Sequence, residues 1–275
     1  MKNVYTQFDI KNQVIAITGG SGVLGSVTAS ALANAGAKVV IMARSLARCQ
    51  QVADQIMADG GEAMAIACDV LDKYSIETAA NTILERWQRV DALINAAGGN
   101  RKDASTNADL SFFDLPQDAL QGVFDLNILG SILPSQIFGK SMAQQKSGVI
   151  INVSSMAAFT PLTRIPAYSA AKAGINNFTQ WLSVHMAQEY SPHIRVNAIA
   201  PGFFLTEQNR FLLTEEESGA LTPRGRSIID HTPMARFGDP EELVGAVLWL
   251  LAPASRFVTG IVVPIDGGFS AFSGV

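Results

Sequence analysis

Cysteine, histidine and charge are all scarce in this sequence. Only Cys49 and Cys68 occur, without metal-ligand spacing, so neither a disulfide framework nor a zinc site is suggested and two buried thiols are expected. His185, His193 and His231 are the only histidines, and none forms a helix-spaced pair of the H-E-x-x-H kind, so no metal centre is expected. Charged residues make up 16% of the chain and sum to −4. That leaves no basic field for nucleic acid or anionic lipid. Also missing is any run of about 18 to 20 apolar residues free of charges and breakers, which argues against a membrane span. The first twelve residues hold neither a long apolar core nor a small-residue cleavage site. They do not read as a secretory signal, and the cytoplasm is the expected location.

Apolar residues, by contrast, make up 48% of the 275 residues, enough for a large buried core in one globular domain spanning 1–275. Short β-branched runs at 14–18, 38–42, 63–68, 92–95, 149–153, 195–199 and 261–264 read as strands. Stretches at 24–35, 46–59, 73–89, 116–145, 167–188 and 240–251 have helical length and apolar spacing. Such alternation predicts an α/β fold of the single-domain Rossmann kind, a doubly wound parallel sheet of about seven strands with helices on both faces. Two irregular inserts, 98–115 and 203–239, follow strand ends, where ligands bind in such sheets.

The first strand runs into Thr18-Gly19-Gly20-Ser21-Gly22-Val23-Leu24-Gly25 and then a helix. Gly20, Gly22 and Gly25 satisfy G-x-G-x-x-G, in which absent side chains let backbone N–H groups and a helix N-terminus approach a pyrophosphate. The second strand ends in Ala43-Arg44-Ser45, where an acidic side chain would hydrogen-bond a free ribose 2′-hydroxyl. Ala43 removes that charge and Arg44 supplies a cation for a 2′-phosphate, which favours NADP(H) over NAD(H); an exposed arginine opening a helix is the alternative. Asp69-Val70 is placed to meet the adenine, although Asp69 also suits a helix cap. The small run Asn95-Ala96-Ala97-Gly98 permits close backbone approach to the cofactor.

Tyr168 and Lys172 stand four residues apart, on one helix face. A phenol with an ordinary pKa of about 10 is a poor base near neutrality, and an adjacent ammonium favours its phenolate. The fifth strand ends in Ser154-Ser155, and either hydroxyl is placed to hold a carbonyl oxygen beside the phenol, with Ser155 preferred. Asn127 lies inside the long helix 116–145, where a polar residue is ordinary when it faces solvent.

Taken in order, the glycine turn, Asn95-Ala96-Ala97-Gly98, Asn127, Ser155, Tyr168-x-x-x-Lys172 and Pro201-Gly202 resemble the short-chain dehydrogenase/reductase family over nearly the whole chain. The resemblance implies hydride transfer between a nicotinamide dinucleotide and a carbonyl or alcohol. It implies Tyr168 as general acid/base, Ser155 polarising the substrate oxygen, Lys172 orienting the nicotinamide ribose and lowering the phenol pKa, and Asn127 holding a relay water. It also implies that Pro201, Gly202, Phe203 and Thr206 contact the nicotinamide, and that the chain forms a homo-oligomer, dimer or tetramer. One position departs from the family turn T-G-x-x-x-G-x-G: Val23 stands where its middle glycine is expected.

Segments 95–100, 163–168 and 201–210 are similar to a subgroup of that family, the D-mannonate oxidoreductases or fructuronate reductases. A hexuronate needs a cation for its carboxylate and several hydrogen-bond partners. Asn100, Arg101, Arg164, Asn209 and Arg210, with Lys102, lie in loops that offer these, and Ser155 meets the reacting oxygen. Another keto-gluconate, a small ketone, or a cofactor-binding regulator without catalysis are the alternatives.

Overall fold

In the computed structural model, which describes residues 3–205, 210, 213–215 and 218–274, strand β1 (Val14–Thr18) is buried along its entire length. Ile15 and Ile17 face one helical layer while Val14 and Ala16 face the other. That two-residue alternation is what a strand covered on both faces requires. The strands β2 (Lys38–Ala43), β3 (Glu62–Ala67), β4 (Ala92–Asn95), β5 (Gly148–Val153), β6 (Ile194–Pro201) and β7 (Val262–Ile265) join it in one parallel sheet of order β3-β2-β1-β4-β5-β6-β7. The order in which successive strands are added reverses between β1 and β4, and this opens a crevice at the carboxyl ends of both parallel strands.

Following the short α1 (Val4–Gln7), the first core lies under α2 (Val23–Asn34) and α3 (Leu46–Ala58), with Leu32 and Ile56 meeting Ile15, Val39 and Ile41. The second lies under α4 (Lys73–Trp87), whose Ile76, Ala79 and Ile83 recur at helical spacing and pack against Val40 and Leu93. No helix among the described residues is long and apolar enough to cross a membrane. Burial raises both thiols, Cys68 to about 11, as expected of inert core cysteines.

Three elements depart from the sequence expectation. The helix expected at 116–145 is broken into α5 (Gln117–Phe124), a wide π-helical turn at Asp125–Leu129, and α6 (Gly130–Gln145). The cause is visible at Asn127. Its side-chain amide donates to the Val123 carbonyl at 2.8 Å, the acceptor that its own backbone N–H would use in a straight helix. Insert 203–239 is less irregular than expected. It contains α8 (Pro223–Asp230), begun by Pro223 with Thr222 capping Gly225, and a parallel bridge between Phe204 and Gly238 that closes its base. The last expected helix starts as a 3₁₀ turn at Pro240–Leu243, held by an Asp239 capping box, before α9 (Val244–Leu251).

Candidate active site

The glycine turn at the end of β1 is shaped by contacts that leave no space for side chains. Gly19 has φ +64°, and a Cβ there would lie 2.8 Å from the Ala96 backbone; one on Gly25 would lie 2.5 Å from the Gly19 carbonyl. Gly20 donates its N–H to Met42 of β2, and Ser21 reaches the Cys49 thiol behind the turn. Gly22 is the extended residue before α2, and no side chain caps the helix, so its first N–H groups face the crevice. Val23 is the first helical residue, and the Gly22 bend carries the turn in place of the missing middle glycine. A cleft of about 330 Å³ is lined by Gly19, Val23, Leu24, Ala96, Gly202 and Phe203. Thr18 Oγ1 accepts from the N–H groups of Ala96 and Ala97, which fixes the opposite wall. These features fit a backbone cradle for a dinucleotide pyrophosphate.

Farther along the edge, Arg44 is exposed, without an ion pair among the described residues, and Ser45 caps α3 by accepting from Arg48. Asp72, not Asp69, caps α4; Asp69 accepts from the Leu71 N–H. Val70 is buried against Gly130. Asn95 directs its amide nitrogen to Ser131, Ser135 and Asn152 beneath the sheet edge.

At the end of β5 the two serines diverge. Ser154 Oγ donates to Asn176 Oδ1 and lies 3.3 Å from the Lys172 carbonyl, which turns it into α7 (Pro166–Glu189). Ser155 instead hydrogen-bonds the Tyr168 phenol. Burial pushes that phenol above its ordinary value, and the Ser155 bond opposes the rise. One helical turn on, Lys172 is buried with its ammonium 5.6 Å from the Tyr168 ring centroid, donating to the Val153 carbonyl at 2.7 Å. Desolvation pushes Lys172 down to about 8. Asn127 clamps the entry to the first insert, donating to the Gly99 carbonyl at 2.7 Å and accepting from the Gly99 N–H at 3.1 Å. Sheet end and wide turn thus bring Asn127, Ser155, Tyr168 and Lys172 together beside the glycine cleft.

Residues 13–217 match the family model for short chain dehydrogenases. The chain belongs to the short-chain dehydrogenase/reductase family. It is an oxidoreductase that uses a nicotinamide dinucleotide. An uncharacterized oxidoreductase of Bacillus subtilis (strain 168) is 50% identical over 97% of this chain and 98% of its own length. A solved structure from Haemophilus influenza, provisionally assigned as a D-mannonate oxidoreductase and holding NAD, is 45% identical, with a TM-score of 0.91 over 99% of this chain and 100% of that one. A gluconate 5-dehydrogenase of Burkholderia cenocepacia, solved with NADP and tartrate, is 27% identical with a TM-score of 0.87 over 98% of this chain and 100% of that one.

Over this short-chain dehydrogenase core the substrate loops are less uniform than their basic residues suggest. Arg101 is engaged by Asp103 in a two-pronged pair and lies against Gly122 of α5. Asn100 donates to Ser105 Oγ at 2.8 Å. Lys102, Arg164 and Arg210 are exposed, and among the described residues none of the three is in an ion pair. Thr206 and Asn209 lie outside the described residues. The sequence reading passed over Phe269, whose ring stands edge-on to Phe203 at 5.2 Å with His231 beyond it. Its position depends on the Asp266 carboxylate, which accepts from the Gly268 and Ser270 N–H groups; the Asp266-Gly267-Gly268 turn was the available signal.

Proposed function

We propose that this oxidoreductase interconverts a keto sugar acid and its hydroxy acid, with D-fructuronate and D-mannonate the leading pair and NADP(H) the preferred cofactor. The Ser155 to Tyr168 hydrogen bond, with Lys172 one turn away at the cofactor cleft, carries this reading. Gly19, Gly20, Ser21, Gly22, Val23, Leu24 and Gly25 hold the pyrophosphate, Asp69 and Val70 border the adenine, and Ala96 to Gly98 and Pro201 to Phe203 flank the nicotinamide. When bound, the cofactor supplies or accepts the hydride. Ser155 donates a hydrogen bond to the substrate oxygen, and Tyr168 gives that oxygen a proton in reduction and removes it in oxidation. Lys172 holds its positive charge beside the phenol and donates to a ribose hydroxyl, while Asn127 keeps a relay water near the lysine.

The sugar-acid reading draws support from the relative assigned to D-mannonate and from the gluconate dehydrogenase. With Arg101 held by Asp103, Lys102, Arg164 and Arg210 are the loop cations left to meet a carboxylate. Assembly into a homo-oligomer is supported by the exposed apolar face of α7, which carries Trp181 and Val184. A spectrophotometric screen of NADH and NADPH against fructuronate, 5-keto-gluconate and simple ketones tests the assignment. Turnover of simple ketones alone would reject the sugar acid. On the cofactor side, Arg44→Ala is expected to weaken NADPH about tenfold through loss of a charge-assisted contact. NADH should change by less than about threefold, and equal losses for both would remove Arg44 from the 2′-phosphate site.

A further inference from the structure

Gly98 follows β4, and its backbone lies outside the left-handed region, so conformational freedom does not account for glycine there. Space does. A Cβ built on Gly98 would lie 2.9 Å from Asn127 Oδ1 and 3.2 Å from Lys172 Nζ. Neither neighbour is free to give way. The Asn127 amide makes three hydrogen bonds, to both backbone groups of Gly99 and to the Val123 carbonyl. Lys172 is buried and tied to Val153 at 2.7 Å. Next door, a Cβ on Gly99 would meet nothing within 4 Å, so crowding is confined to Gly98.

The geometry points to Gly98 as a positioning residue, whose missing side chain lets the Asn127 amide and the Lys172 ammonium share one space and so sets the ammonium against the Tyr168 phenol. This role rests on the proton-transfer reading of Tyr168 and Lys172, and it is distinct from close approach of the backbone to a cofactor. The groups facing Lys172 are neutral: the Val153 carbonyl from β5, the Asn127 amide from the wide turn and the Tyr168 ring from its own helix. Displacing the ammonium therefore leaves the phenol without a nearby cation to favour its ionised form. A methyl group at Gly98 acts on the proton-transfer pair without touching either member's chemistry.

The test compares the acid limb of the pH profile for alcohol oxidation in wild type, Gly98→Ala and Lys172→Met, using the best substrate from the screen. That limb belongs to the coupled pair, not to one residue. Lys172→Met should move it to higher pH. Gly98→Ala should move it the same way by about one pH unit, with kcat about 10- to 100-fold lower, as for a misplaced catalytic group. A Gly98→Ala limb coincident with wild type, while that of Lys172→Met has moved, overturns the spacer role even if the variant is less stable. An unmoved limb in Lys172→Met rejects the pair itself, and the inference with it. Should Gly98→Ala fail to fold, adding Asn127→Ala removes the atom at 2.9 Å. The double variant must then still differ in its limb from Asn127→Ala alone, and identity of the two again overturns the proposal.

Discussion

Tyr168→Phe is expected to lower turnover by about 10²- to 10⁴-fold, the usual contribution of a positioned acid or base. The phenylalanine ring keeps the packing of Tyr168 against Ala104, Ala119 and Val123, and loses only the hydroxyl that bonds Ser155. Cofactor affinity should stay within about threefold, measured by NADPH fluorescence, because the glycine turn is untouched. The direction of the phenol shift sets the pH dependence. A raised phenol pKa keeps the proton through neutrality, so reduction should hold its rate there and decline only in alkaline solution. Oxidation needs the ionised form and should rise toward alkaline pH. Wild type that binds NADPH but oxidises none of a sugar-acid panel, matching Tyr168→Phe, would point to a regulator that binds dinucleotide without catalysis.

The parts of this molecule that were legible in the sequence are those set by local pattern. Val14 to Thr18 alternates between two cores because both faces are covered, and the same composition marks β2, β4 and β5. Tyr168 and Lys172 share a face by helix geometry alone. What the sequence did not reveal depends on tertiary partners. Ser154 and Ser155 are chemically identical neighbours, and only the placement of Asn176 and the phenol separates them. Asn127 sits in the wide turn with its side chain bonded to Gly99, which approaches from a different segment. Arg101 read as a free cation because sequence does not reveal which way its guanidinium turns, and Asp103 two residues on takes it. Phe269 needed the fold of the carboxyl-terminal turn to bring it against Phe203.

Lys172→Met is expected to leave the enzyme more stable and nearly inactive. Burial lowers the ammonium from 10.5 to about 8, a difference worth about 3 kcal/mol of penalty on the folded state wherever the lysine is charged in both states. The sign follows from proton counting. Between the two values the unfolded chain binds the extra proton, so stability attributable to this group rises with pH across that window. Below about 8 the full penalty applies, and above 10.5 it vanishes. Methionine has similar length and no charge, but it leaves the Val153 carbonyl without its donor, at about 1 kcal/mol. The net gain near pH 7 should be about 1–2 kcal/mol, or a Tm rise of about 2–6 °C, shrinking as the pH is raised beyond 8. A variant melting below wild type at pH 7 would mean that the surroundings of Lys172 stabilise the charge more than burial opposes it. A lysine kept at such a cost in stability fits a group whose charge is needed beside the phenol. Saturating NADPH should then raise the Tm of wild type more than that of Lys172→Met, because only the native ammonium gains a ribose acceptor when the cofactor binds.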